Sequence, residues 1–218
     1  MARYATVAAS PVVRKRAPLL AHAAGVVGSI HIRNRGTVGG AVAHADPVGD
    51  VPTALLTLDA VYHSRTRDRA TAHAAADFST GLFATRLQED ELLGSIEVPA
   101  QPTGSVFGYE RFSVREGEYP MVVAACRLVI DDGNVVSARV AVGGADSHPK
   151  RLESLEAALG GRSAESGFAK GDLADVVGAD LNPMADIRGG EEWRRKVALA
   201  TIGRAVENAF SETNGGGG

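Results

Sequence analysis

The chain has 218 residues and a formal net charge of −3, with 44% hydrophobic, 22% charged and 5% aromatic residues. Such a chain buries a sizeable core and fills one or two globular domains. Without a basic excess, and with few aromatics to stack on bases, it is not expected to bind nucleic acid.

Ser10-Pro11 and Ala17-Pro18 read as helix starts with proline at the first helical position. Leu19, Leu20, Ala23, Ala24, Val26 and Val27 make the second helix mostly apolar. A glycine-rich loop from Ile32 to Ala45 follows, then a helix from Asp46-Pro47 to about Leu58, with Val48, Val51, Leu55 and Leu58 facing the core. Ala60 to Ser64 and Arg69 to His73 are two short strands, Ala75 to Gly81 a helical turn, and Leu92 to Val98 a strand ended by Pro99. Gln101 to Ser105, with Pro102 and Gly104, is the best linker. Beyond it Val106 to Val114 alternates as a strand, and Val122–Ile130 pairs with Asn134–Val142 around the turn Asp131-Asp132-Gly133. Helices are expected over Pro149–Leu159, Ala164–Val177 and Glu191–Phe210, the last with Arg194, Arg195, Lys196 and Arg204 on a solvated face. Gly215 to Gly218 is expected to be a disordered tail.

The chemistry concentrates in Ile32-Arg33-Asn34-Arg35-Gly36-Thr37-Val38-Gly39-Gly40-Ala41, followed by His44-Ala45-Asp46-Pro47 and by Asp50. Glycines beside a threonine free the backbone to turn N–H groups toward an anion. The sequence lacks both GxGxxG and GxxxxGK[ST], so neither a Rossmann site nor a nucleotide-hydrolysing P-loop is expected. The glycine backbone and the Thr37 hydroxyl suit a pyrophosphate, Arg33 or Arg35 its charge, and Asp50 a ribose or ribityl hydroxyl. Asp46 is better used as a helix cap than with His31, His44 and His63 as a metal ligand, so no metal site is expected. Cys126, the one cysteine, lies in an apolar strand as a small buried hydrophobe. It excludes an internal disulfide and any cluster held by several cysteines of this chain. Tyr119 is either a core-edge aromatic or a ring that stacks on a cofactor. Met1 to Leu20 is broken by Pro11, Arg14, Lys15, Arg16 and Pro18, so it is no secretory signal. No apolar run reaches the roughly 18 residues of a membrane span, and a cytoplasmic location is expected.

These residues resemble the FAD-binding (medium) subunit of molybdenum hydroxylases of the carbon monoxide dehydrogenase and xanthine dehydrogenase type. The likeness runs on through Leu92-Leu93, Ile96-Glu97-Val98-Pro99, Tyr109-Glu110-Arg111-Phe112, Gly117-Glu118-Tyr119 and Ala141-Val142-Gly143-Gly144-Ala145. It implies an α+β architecture: the second subdomain of a two-subdomain FAD-binding fold of the vanillyl-alcohol-oxidase/PCMH type over residues 1–100, and a small α+β C-terminal domain over 105–212. By that resemblance Thr37, Val38, Gly39, Gly40 and Ala41 form the second FAD diphosphate loop, and Asp50 contacts the cofactor's polar chain. Leu93 lies against the flavin or adenine, and Tyr119 near the isoalloxazine. No residue is expected to act as general acid or base. Ala41 stands where asparagine or serine is frequent, which removes one side-chain hydrogen bond. Nothing in Met1 to Val27 matches the family's first glycine-rich FAD loop, so the chain is expected to lack an N-terminal subdomain. The implied role is to relay electrons from [2Fe–2S] clusters on an iron–sulfur subunit through FAD to an acceptor, with a molybdopterin cofactor on a molybdenum subunit. The alternative is a truncated interaction protein that binds no flavin and retains only the subunit-contact surface.

Overall fold

The computed structural model describes residues 1–115, 118–165 and 170–215. Six short helices open the chain: α1 (Tyr4–Ala9), α2 (Pro11–Arg16), α3 (Pro18–Val26), α4 (Ile30–Arg35), α5 (Val38–His44) and α6 (Asp50–Thr57). Proline occupies the first turn of α2 and α3 as expected, and Ser10 caps α2 by accepting from the Val13 N–H.

Two expectations change here. Residues 32–45 are not an open loop, because they hold most of α4 and all of α5, each started by a hydroxyl cap from Ser29 and Thr37. Helices this short show too little periodicity to be read from sequence, and tertiary packing has to hold them. The helix expected from Asp46 begins instead at Asp50. Asp46 Oδ1 accepts from the Val48 N–H at 2.9 Å and closes a turn ahead of the helix. The expected core positions hold: Val48, Val51, Leu55 and Leu58 are all buried.

Next come β1 (Val61–Arg65), β2 (Ala70–Ala74), α7 (Ala75–Phe78), a small hairpin of β3 (Ser79–Gly81) and β4 (Ala84–Thr85), and β5 (Leu92–Glu97). β1 is the central strand, with β2 and β5 antiparallel on its two sides. The rest of the chain builds a four-stranded antiparallel sheet in chain order from β6 (Ser105–Phe112), β7 (Val122–Asp131), β8 (Asn134–Gly143) and β9 (Lys150–Arg151). Asp132 and Gly133 both take positive φ, 45° and 74°, as the tight primed turn between β7 and β8 demands. Three helices follow, α8 (Glu153–Leu159), α9 (Lys170–Val177) and α10 (Glu191–Gly215). The helix expected from Pro149 therefore starts only after the short β9. Of the helix expected over 164–177, residues 166–169 lie outside the described residues, as do 216–218 of the expected tail.

β7 explains the apolar run that the sequence shows there. Val122, Ala124, Cys126 and Leu128 join the core shared with α8 and α10, while Ala125 joins the core of the opening helices. A strand covered on both faces needs no polar alternation. α10 lies directly on β6 at Gly108, where a Cβ would come 1.8 Å from the Ala205 carbonyl oxygen. One residue of α10 departs from expectation. Arg194 is only 4% exposed and pairs with Asp186 at 2.5 Å, while Trp193 is 39% exposed and meets Phe112 edge-on.

The first six helices join the second sheet through polar contacts. The Gly144 N–H donates to the Pro47 carbonyl, and Arg127, Arg139 and Arg151 converge on Asp59 at the end of α6. Among the described residues no helix is long and apolar enough to cross a membrane.

Candidate cofactor site

The glycine-rich stretch is the first turn of a helix. Residues 2–4 run antiparallel beside it: Tyr4 N–H donates to the Gly36 carbonyl at 3.1 Å and Val38 N–H to the Ala2 carbonyl at 3.0 Å. Thr37 Oγ1 accepts from the Gly40 N–H at 3.0 Å. This geometry differs from a concave nest of positive-φ glycines, since neither Gly39 nor Gly40 takes a positive φ. Two first-turn amides are already satisfied within the chain. Among the described residues the Gly39 N–H has no acceptor. Thr37, having accepted from Gly40, keeps its own proton to donate.

Gly39 also supplies the space. A Cβ built there would meet only the Leu93 side chain, at 3.8 Å. The first turn of α5 therefore lies beside Leu93 on β5, with the Gly39 N–H left without an acceptor among the described residues. At the exposed Gly40 a Cβ would lie 2.8 Å from Thr37 Oγ1, the oxygen that caps the helix. The residues present thus fit a phosphate-bearing cofactor: the space beside Leu93 is one that a side chain at position 39 would fill.

The Arg33 side chain is engaged elsewhere. Its guanidinium donates to the Val27 carbonyl at 3.1 Å and the Gly28 carbonyl at 2.5 Å, tying the end of α3 to α4. Ala41 is half-buried one turn along α5 and packs against the first core.

Asp50 is 5% exposed at the start of α6. The Tyr109 hydroxyl donates to its Oδ1 at 2.5 Å, and Arg111 Nε lies 3.4 Å from the same oxygen. Burial raises the Asp50 carboxyl above its ordinary range, against the pull of Tyr109 and Arg111. The same burial, reinforced by the Asp50 charge, raises the Tyr109 and Tyr4 phenols, and it lowers His22. His22 stands edge-on to Tyr109, with ring centroids 4.9 Å apart. Arg111 also donates to the Val26 carbonyl at 2.7 Å. Asp50 is thus first a joint between α6, α3 and β6. Sequence reasoning missed its partners, although Tyr109 and Arg111 stand together in Tyr109-Glu110-Arg111.

Tyr119 is 53% exposed. Burial of its hydroxyl end, followed by a hydrogen bond with Asp46, raises its phenol. It therefore belongs beside the α5–α6 connection with its ring partly open. Glu116 and Gly117, just before it, lie outside the described residues. The structure brings Thr37, Gly39 and Leu93 together, sets Tyr119 by Asp46, and leaves Arg33 apart. A separate groove of about 540 Å³ runs between α3, β6 and α10, and none of the expected cofactor residues lines it.

The chain matches known proteins over almost all of its length. Residues 1–101 match the family described as FAD binding domain in molybdopterin dehydrogenase, and residues 107–209 the CO dehydrogenase flavoprotein C-terminal domain. The chain is 34% identical to the nicotine 6-hydroxylase medium subunit of Paenarthrobacter nicotinovorans, over 98% of its own length and 74% of that protein. It is 30% identical to the carbon monoxide dehydrogenase medium chain of Hydrogenophaga pseudoflava, over 93% and 70%. The solved carbon monoxide dehydrogenase of Hydrogenophaga pseudoflava superposes with a TM-score of 0.90 at 30% identity, covering 97% of this chain and 73% of that one. A quinoline 2-oxidoreductase structure from Pseudomonas putida gives 0.86 at 27% identity, covering 96% and 73%. The chain belongs to the FAD-binding medium subunits of the molybdenum hydroxylases.

Proposed function

We propose that this chain holds FAD at the first turn of α5 and so carries electrons from an iron–sulfur subunit to an external acceptor. The observation that carries the proposal is Gly39: a free N–H and an unfilled Cβ position facing Leu93. The redox chemistry is the flavin's when it is bound, and the protein places and tunes it. The Gly39 N–H and the Thr37 hydroxyl donate to the diphosphate, with Val38, Gly40 and Ala41 keeping the backbone of the turn in place. Leu93 covers one side and excludes water. Asp50 holds the α6 end of the site, and its unshared oxygen accepts from a cofactor hydroxyl. Tyr119, partly open, lies against the ring system. Arg33 serves by fixing the α3–α4 turn ahead of the cradle.

Under this proposal residues 1–100 are the FAD-binding part and 105–212 the C-terminal domain. Partner subunits carry the [2Fe–2S] clusters and the molybdopterin cofactor, and the assembly works in the cytoplasm. No side chain of this chain needs to act as acid or base.

The test is the visible spectrum of the chain purified with its partner subunits, recorded before and after addition of the complex's reducing substrate. A flavin band near ~450 nm that bleaches on reduction is expected. A complex that assembles and turns over without flavin, even after FAD is supplied, would leave the chain as an interaction subunit.

A further inference from the structure

Ser64, His73 and Glu91 form a buried polar cluster that the cofactor site does not use directly. Ser64 is 2% and Glu91 6% exposed. Ser64 Oγ lies 2.5 Å from Glu91 Oε1 and 2.8 Å from His73 Nε2, and the second Glu91 oxygen accepts from the Gln88 N–H at 3.1 Å. The hydrogen bond from Ser64, then that from Gln88, holds the Glu91 carboxyl below its usual range. Serine, histidine and a carboxylate suggest a nucleophile at first sight. The proton count rules that out: the single hydroxyl proton goes to the carboxylate, so His73 Nε2–H must donate to Ser64 Oγ and cannot act as its base.

The cluster's position supplies its use. Ser64 stands directly opposite Leu93 in the β1–β5 pair. The register shifts there, with His63 facing Ser95 and Ser64 facing Leu93, so Gly94 is an extra residue, a β-bulge. In a regular strand Leu93 and Ile96 would point to opposite faces. With the bulge both face the first core, Ile96 opposite the buried Tyr62 and Leu93 opposite Ser64. Leu93 thereby reaches the space at Gly39. Glu91, two residues earlier, pins the start of β5 to Ser64 at the bulged pair.

We infer that Glu91, through Ser64 and His73, is a positioning residue for the flavin: it locks the bulge at Gly94 and so fixes Leu93 against the cofactor cradle. The inference rests on the FAD proposal above. Neutral, differently shaped or shortened side chains at position 91 should loosen Leu93 without touching the diphosphate turn.

The experiment measures FAD release from the purified complex, by recovery of free-flavin fluorescence on dilution, and the visible circular dichroism of the bound flavin. Glu91→Gln keeps one acceptor and loses the other, and Glu91→Ala loses both. Ser64→Ala breaks the link from the other side and serves as the second variant should Glu91→Ala fail to fold. Release is expected to quicken roughly tenfold in Glu91→Ala, about the worth of one charge-assisted hydrogen bond, with Glu91→Gln between it and wild type. The deciding arm is a cycle with Leu93→Ala. If Glu91 acts through Leu93, its loss adds little once Leu93 is truncated. Additive effects, or unchanged release and dichroism in complexes that retain FAD, would overturn the inference. A wild-type complex without flavin would instead overturn the FAD proposal, and the inference with it.

Discussion

At Thr37 two tasks share one hydroxyl. It caps α5 by accepting from Gly40, and under the FAD proposal its own proton goes to the diphosphate. Thr37→Ala is expected to cost about 1 kcal/mol of stability, the usual worth of an N-cap, and to weaken FAD binding as well. Thr37→Ser should restore both, as read by chemical denaturation and FAD titration; a serine variant as weak as alanine would deny the hydroxyl its role. The sequence pointed to this residue through its company of glycines, but it misjudged what the glycines do. Gly39 takes no positive φ, and under the FAD proposal it serves by the space beside Leu93. Arg33, expected as a counter-charge, has its guanidinium taken up within the chain. A charged side chain near a candidate anion site looks like its counter-charge, yet this one donates to the carbonyls of Val27 and Gly28 at the end of α3.

Among the elements, long periodic ones were legible and short ones were not. The hairpin of β7 and β8 was clear because Asp132-Gly133 demands the turn and the flanking residues are apolar. The helices α1, α4 and α5 were missed or read as loop because six or seven residues give no periodicity. The bulge in β5 did leave a trace: Leu92-Leu93-Gly94-Ser95-Ile96 breaks period-two alternation at a glycine, a mark of a bulge. The meeting of α10 and β6 had no such trace, because Gly108 shows its purpose only against Ala205. Gly108→Ala should destabilise the protein by about 3 kcal/mol or more, at the upper end for overpacking, because the Cβ meets backbone that cannot turn aside. A melting temperature within a degree of wild type would contradict that packing.

At the scale of the whole molecule, the opening helices and the second sheet are held together by polar joints as well as by apolar contact. Asp59, at φ 54°, gathers Arg127, Arg139 and Arg151, and Asp50 gathers Tyr109 and Arg111. These contacts join residues far apart in sequence, which is why nothing local announced them. Asp59→Ala leaves the buried Arg127 without its carboxylate. A loss of about 2 kcal/mol is expected, less than for a fully buried pair because Asp59 is partly exposed and screened. Equal denaturation midpoints for variant and wild type would remove the joint from the account.

The cradle at Gly39 is tested most directly by the FAD content of the complex with Gly39→Val in place of wild type, at matched thermal stability. The fold has room for the first carbon of that side chain beside Leu93, so the protein should assemble and melt as wild type does. Its flavin should be lost, and adding FAD should not restore the band. A Gly39→Val complex that is fully assembled and carries wild-type flavin would contradict the placement of the cofactor at the first turn of α5.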